Sequence, residues 1–162
     1  MRRALALACV AAALVGCAAP AQIGPGAERA LVQSRWGAPR ASYGVDGGGQ
    51  RWFYERTPGE QERLDFDANG RLLAREQVFS AAHFQALAQG QWDATAVLQS
   101  FGPPASRQAA VQEANEAGSG SVWIYSWREF GKWRVARVRL SASGAVQGVE
   151  FADDTKADDR YR

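Results

Sequence analysis

Three short stretches of this chain occur twice, in the same order, and that constrains its fold more than any other feature. SRWGAPR (residues 34–40) matches QSFGPPA (residues 99–105), with Gly37 on Gly102 and Pro39 on Pro104. Val32 with Val97 and Trp36 with Phe101 keep the same offset. RWFYE (residues 51–55) then matches VWIYS (residues 122–126), with Trp52 on Trp123 and Tyr54 on Tyr125. LDFDANGRL (residues 64–72) finally matches VRLSASGAV (residues 138–146), with Phe66 on Leu140 and Gly70 on Gly144. The offset is fixed inside each block and grows only between blocks, as it does when two copies of one unit have taken insertions in their loops. Both added stretches, EANEAGSGS before Val122 and EFGK before Trp133, have loop composition.

Each copy reads as a helix followed by strands. In the second, Asp93 is placed to cap a helix in which Ala94, Val97, Leu98 and Phe101 recur at helical spacing. Gly102 suits a left-handed position at its end, and Pro103-Pro104 stops it. Residues 122–127 have the aromatic and β-branched content of a strand. Residues 133–140 alternate, with Arg134, Ala136, Val138 and Leu140 on one side and Trp133, Val135, Arg137 and Arg139 on the other. A hairpin turn falls at residues 142–144, and at residues 68–70 in the first copy, where Asn69-Gly70 is a strong turn signal. A further helical stretch at residues 80–88 would turn Phe84 and Leu87 inward, with no full counterpart in the first copy. The fold class expected is α+β, with units over residues 27–79 and 80–152 and a polar tail over 153–162.

The start of the chain points to export. Arg2 and Arg3 precede an apolar run over residues 4–16, too short to span a bilayer. The run ends in Leu14-Val15-Gly16-Cys17, which resembles the bacterial lipobox. Residues 1–16 then read as a lipoprotein signal peptide and 17–26 as a tether. The resemblance implies that Cys17 becomes the first residue and carries acyl chains such as palmitate; two or three chains anchor stably where one does not. With Ala18 rather than Asp after the cysteine, it further implies the outer membrane. Removal of Arg2 and Arg3 leaves basic and acidic residues equal in number, so no basic field remains for nucleic acid. Cys9 goes too, and acylation uses Cys17, so neither a disulfide nor a cysteine metal site is expected.

Chemistry-bearing motifs are few. Residues 65–76 satisfy the calcium-loop pattern D-x-[DN]-x-[DN]-G-x5-E, with oxygen ligands available from Asp65, Asp67, Asn69 and Glu76. The context reads as a hairpin instead. The preceding ERTPGEQER has Pro-Gly and no apolar stripe for an entering helix, and Leu64 and Phe66 alternate as in a strand. The second copy keeps Gly144 and Glu150 but has Ser141 and Ser143 in place of acids. The single histidine, His83, reads as a surface or capping residue, and Gly47-Gly48-Gly49 as a hairpin loop. No nucleophile–base–oxyanion set is visible, so the expectation is no enzyme and no cofactor. Trp127, Trp133, Arg137 and Arg139 have the aromatic-plus-arginine character of a protein interface.

The pattern of Gly, Val, Gly-x-Pro, a Trp-x-Tyr strand and a closing hairpin resembles the BamE (SmpA/OmlA) family of outer-membrane lipoproteins. Here it runs through Gly90, Val97, Gly102 to Pro104, Trp123 to Tyr125 and Leu140 to Gly144. In the first copy it runs through Gly26, Val32, Gly37 to Pro39, Trp52 to Tyr54 and Phe66 to Gly70. The chain departs from that family in having two units, and in Gln91-Trp92 and Ala27-Glu28 where the family has Met-Thr. The tandem arrangement is similar to β-lactamase inhibitor proteins. The resemblance implies helices on one face of antiparallel sheet, attachment to outer-membrane lipid through Cys17, and protein partners, with the barrel-assembly machinery among them. The alternative is an inhibitor-like or scaffold module for another periplasmic protein.

Overall fold

A computed structural model describes residues 23–110 and 120–154. The segment expected as a signal peptide (residues 1–16), Cys17, and most of the segments expected as tether and polar tail lie outside the described residues.

Helices and two antiparallel sheets build a mixed α and β structure. Helix α1 (Arg29–Trp36) precedes β1 (Ala41–Gly44), β2 (Gln50–Thr57), β3 (Glu60–Phe66) and β4 (Leu72–Gln77). Then come α2 (Ala81–Gln85), a 3₁₀ turn (Ala86–Ala88), α3 (Ala94–Phe101), β5 (Ser106–Ala109), β6 (Ser121–Glu129), β7 (Lys132–Leu140) and β8 (Val146–Asp153). Both sheets are four-stranded meanders, β1-β2-β3-β4 and β5-β6-β7-β8. Each is wider than the two strands and a hairpin that the sequence marked. The edge strands β1 and β5 have four residues each and no apolar alternation to give them away. Strand β8 ends at Asp153, the residue at which the polar tail was expected to begin.

Matched positions carry matched hydrogen bonds. The Arg29 amide donates to Gly70 O at 2.9 Å, and the Ala94 amide to Gly144 O at 2.8 Å. The Arg40 amide donates to Phe53 O, and the Ala105 amide to Ile124 O, both at 2.8 Å. The register of the third and fourth strands shifts between Asp65 and Phe66 in one sheet and between Arg139 and Leu140 in the other. Helices α1 and α3 both stop at a glycine, but not in the left-handed helical conformation expected. Gly37 has φ 79° and ψ −164°, and Gly102 has φ 75° and ψ −169°. That region is open essentially to glycine alone, and it turns the chain out of the helix into the next strand.

The two helices differ in what surrounds them. Helix α1 lies on one face of the first sheet, over Trp52, Tyr54, Leu64, Phe66 and Leu72, and buries only Val32 fully. Its outer positions, Ala30, Gln33, Ser34 and Arg35, are exposed. Helix α3 sits between sheets. Val97 and Phe101 pack with Trp123, Tyr125, Ala136 and Val138 of the second sheet. Phe53, from the face of the first sheet turned away from α1, joins the same cluster and is fully buried. A side chain of this size contributes about 1.5–3 kcal/mol when so buried. Arg51 crosses the same gap, its Nη1 donating to Gln99 O at 2.9 Å. Only Thr95 of α3 is exposed, which is why its sequence is apolar nearly all round and that of α1 is not. The Asp93 cap forms as expected, its carboxylate accepting the Ala96 amide at 2.7 Å.

Candidate interaction face

In strands, successive side chains point to opposite faces. On β6 this sends Trp123, Tyr125 and Trp127 toward the helices and Val122, Ile124 and Ser126 the other way. On β7, Ala136, Val138 and Leu140 face the helices, while Trp133, Val135, Arg137 and Arg139 share the far side with Ile124. Ser106 and Gln108 of β5 and Glu150 of β8 pair into that far side.

The four residues singled out as an interface therefore separate. Trp127 is 1 % exposed and packs against Phe84 in the core, ring centroids 5.0 Å apart, so it is not available to a partner. The alternation of β6 sets this, because Trp127 is in phase with Trp123 and Tyr125. Trp133 is on the far side but buried, because the β2–β3 turn sits on its indole; a Cβ built on Gly59 would lie 2.7 Å from the ring. Arg137 and Arg139 are exposed on that side. Arg139 pairs with Glu150 at 2.9 Å. Arg137 makes no ion pair among the described residues.

Residues of the first half close one end of this face into a groove of about 550 Å³, lined by Arg40, Glu55, Ile124, Val135, Arg137 and Asp154 among others. Arg40 is fixed there. Its Nη1 donates to Glu55 at 3.0 Å and to Gln61 Oε1 at 3.3 Å. Its apolar lining comes from Ile124, Val135, Phe79 and Trp133, and its charged lining from Arg40, Glu55, Arg137 and Asp154. Sequence reading missed Ile124, Val135, Arg40 and Glu55. The β6 alternation could have flagged Ile124, but nothing local brings Arg40 and Glu55 to β6.

The equivalent face of the first sheet is covered. Tyr43, Arg51, Phe53 and Gln61 meet α3 and the segment after it, and Arg63, Asp65 and Glu76 lie beside them. A polar chain runs along this interface. Arg51 donates to Asp65, and Arg63 pairs with both Asp65 and Glu76. Glu76 meets His83 Nε2 at 2.8 Å, and Ser80 Oγ meets His83 Nδ1 at 2.7 Å. His83 thus joins the start of α2 to the first sheet.

That chain also decides the role of the calcium-loop residues. Asp65 is within β3 and engaged by two arginines, and Glu76 is within β4. Asp67 closes the hairpin turn, its Oδ1 accepting the Asn69 and Arg71 amides at 2.9 and 2.8 Å. Asn69 is exposed at the tip, so the four do not converge. Among the described residues no group of three or more His, Cys, Asp or Glu side chains is arranged to hold a metal ion.

Burial raises the phenols of Tyr43, Tyr54 and Tyr125 above their ordinary pKa; the effect is greatest at Tyr125, to which the nearby Tyr43 adds. The Tyr54 and Tyr125 hydroxyls donate hydrogen bonds to backbone carbonyls. No family model matches the chain, and no curated protein or solved structure matches it either.

Proposed function

We propose that this protein is an outer-membrane lipoprotein, held on the periplasmic side through acylated Cys17, that works by protein–protein contact rather than catalysis. Its role is an accessory one in outer-membrane protein assembly or envelope maintenance. In this reading the chain is two tandem BamE-like units, and the matched hydrogen bonds of the two halves support the duplication.

One observation carries the reading. The first sheet covers its far face with the helices of the second half, through Phe53, Gln61 and Arg51. The second sheet leaves the same positions, Val122 and Ile124, half-exposed, with no further unit in the described chain over them, while Val135 is buried at the end that the first half closes. Arg137 and Arg139 stand beside them, a composition suited to a protein interface. A second reading, an inhibitor-like or scaffold module for another periplasmic protein, is favoured by the groove that both halves build, since a two-sided groove grips one protruding segment.

The test is site-specific photocrosslinking in intact cells from position 137, with Ile124→Glu as the disabling variant. Capture of barrel-assembly components, lost in Ile124→Glu, supports the leading reading. Capture of one unrelated soluble enzyme supports the second. Adducts that Ile124→Glu leaves unchanged refute both. Labelled palmitate incorporation that survives Cys17→Ala removes the lipoprotein claim.

A further inference from the structure

The β6–β7 hairpin ends in a two-residue turn, with Glu129 opposite Lys132 and only Phe130 and Gly131 between. Both turn residues have positive φ, 49° at Phe130 and 79° at Gly131. Among the described residues Phe130 is the only residue other than glycine in that state. Turns of this kind favour Asn, Asp or Gly at the first position, so phenylalanine is not there for the turn. Nor is it there for the core, because it is 99 % exposed. Arg128 and Lys132 stand two residues away on either side, both exposed and without ion pairs among the described residues; Glu129, half-buried, directly precedes Phe130, so the tip carries one net positive charge. An unfavourable backbone state combined with a bare aromatic is the kind of cost that marks a working position.

The corresponding hairpin of the first half shows what this tip lacks. Its turn residue Gly59 is buried against Trp133, and Gly59 O accepts the Arg128 amide at 3.3 Å. Among the described residues no other sheet packs on the β6–β7 tip, and Phe130 projects into solvent.

We propose that Phe130, with Arg128 and Lys132, inserts into the interface of the lipid bilayer as a second point of membrane contact. A single convex aromatic on a tip where Arg128 and Lys132 outweigh Glu129 needs no complementary pocket. The ring reaches the boundary between headgroups and acyl chains, while the cations stay among anionic headgroups. One such tip binds weakly alone, so the inference rests on the lipid-anchored reading, which supplies a high local concentration of bilayer. The placement gives the second contact a use. The chain enters beside the start of β4, where the Gly26 amide donates to Leu72 O. The β2–β3 turn, which meets β6 next to the tip, is at the other end of β3, and its seven residues span about 20 Å. A body held at one end swings; held at both, it presents its groove in one orientation.

The test supplies the anchor chemically. The non-acylated chain from residue 17 onward is coupled through Cys17 to a maleimide phospholipid. The vesicles are phosphatidylethanolamine, with or without phosphatidylglycerol. Benzoylphenylalanine is placed at 130 or, as a control, at Leu73, which is 60 % exposed on β4. Phospholipid adducts at 130 are expected to exceed those at 73 by about tenfold, and to fall about fivefold for each of Arg128→Glu and Lys132→Glu in the anionic vesicles. Equal adducts at 130 and 73, or adducts indifferent to both charge reversals, overturn the proposal. So does crosslinking in intact cells that joins position 130 to a protein rather than to lipid. Phe130→Asn suits the turn better and is expected to unfold at the same or a higher temperature, while Cys17-coupled chain carrying it, with benzoylphenylalanine at 129, gives about tenfold fewer phospholipid adducts than coupled chain with Phe130 and the same probe. Undiminished adducts from that well-folded variant also refute the role. Palmitate labelling of Cys17 is scored separately, so a failure of native acylation is not mistaken for a failure of the tip.

Discussion

The Tyr125 hydroxyl donates to Gly102 O at 3.1 Å, tying the middle of β6 to the glycine that ends α3. Tyr54 and Gly37 make the same bond in the first half at 3.0 Å. In each half a central strand thus fixes where its helix stops. The Tyr125–Gly102 bond is wholly buried and the Tyr54–Gly37 bond is not, because the covering sheet lies only over Gly102. Tyr125→Phe leaves a buried carbonyl unpaired, and the expected loss is about 1–3 kcal/mol of unfolding free energy in urea titrations. Tyr54→Phe should lose less, about 0.5–1 kcal/mol, because water reaches the Gly37 carbonyl.

The same burial sets the alkaline limit of the fold. A phenol whose folded pKa is raised stays neutral in the native state after the unfolded chain has begun to ionise. Above an unfolded pKa of about 10 the unfolded state therefore binds fewer protons, and stability falls as pH rises. Below that pH the group contributes no slope. Thermal unfolding is expected to be insensitive to this group through pH 9 and to decline beyond about pH 10. The decline should be shallower in Tyr125→Phe, with Tyr43 and Tyr54 supplying what remains.

The two helix-ending glycines separate backbone strain from packing. Both have positive φ, so alanine is strained at either. At Gly37 an added Cβ meets nothing within 4 Å. At Gly102 it would lie 2.9 Å from the Phe53 ring and 3.0 Å from Gln61 Nε2. Gly37→Ala should cost about 1–2 kcal/mol, from strain alone. Gly102→Ala should cost at least about 1 kcal/mol more, because a methyl group is forced into a filled interface. Equal costs in chemical denaturation would mean that the two halves are not packed there as described.

Much of this was legible in the sequence, and what was not has a common cause. Asp93 as a cap, Gly102 as a helix stop, the inward Phe84 and the turn at Asn69-Gly70 each follow from neighbours a few residues away. The exchange between halves does not. Phe53 faces away from Trp52 and Tyr54 and could have been a surface residue of a single unit; only a second unit behind the sheet makes it core. Trp133 reads as an exposed aromatic until the turn at Gly59, some seventy residues earlier, is laid over it. Phe130 falls in a stretch of loop composition, although phenylalanine before glycine in a tight turn is itself a signal.

The hairpin at residues 67–70 gives the last prediction. Asp67 Oδ1 holds two backbone amides, so Asp67→Ala should lower stability by about 1 kcal/mol and fray the β3–β4 turn in hydrogen exchange. Asp65 is held by Arg51 and Arg63, so Asp65→Asn weakens an ion-pair cluster at the contact between the first sheet and α3. A calcium loop would behave differently. There, millimolar calcium would raise the unfolding temperature of the unsubstituted chain, and Asp65→Asn would abolish the rise. With the carboxylates already committed to arginines and amides, the unfolding temperature should not move with calcium in either protein. A saturable, Asp65-dependent shift would show that these residues converge on an ion after all.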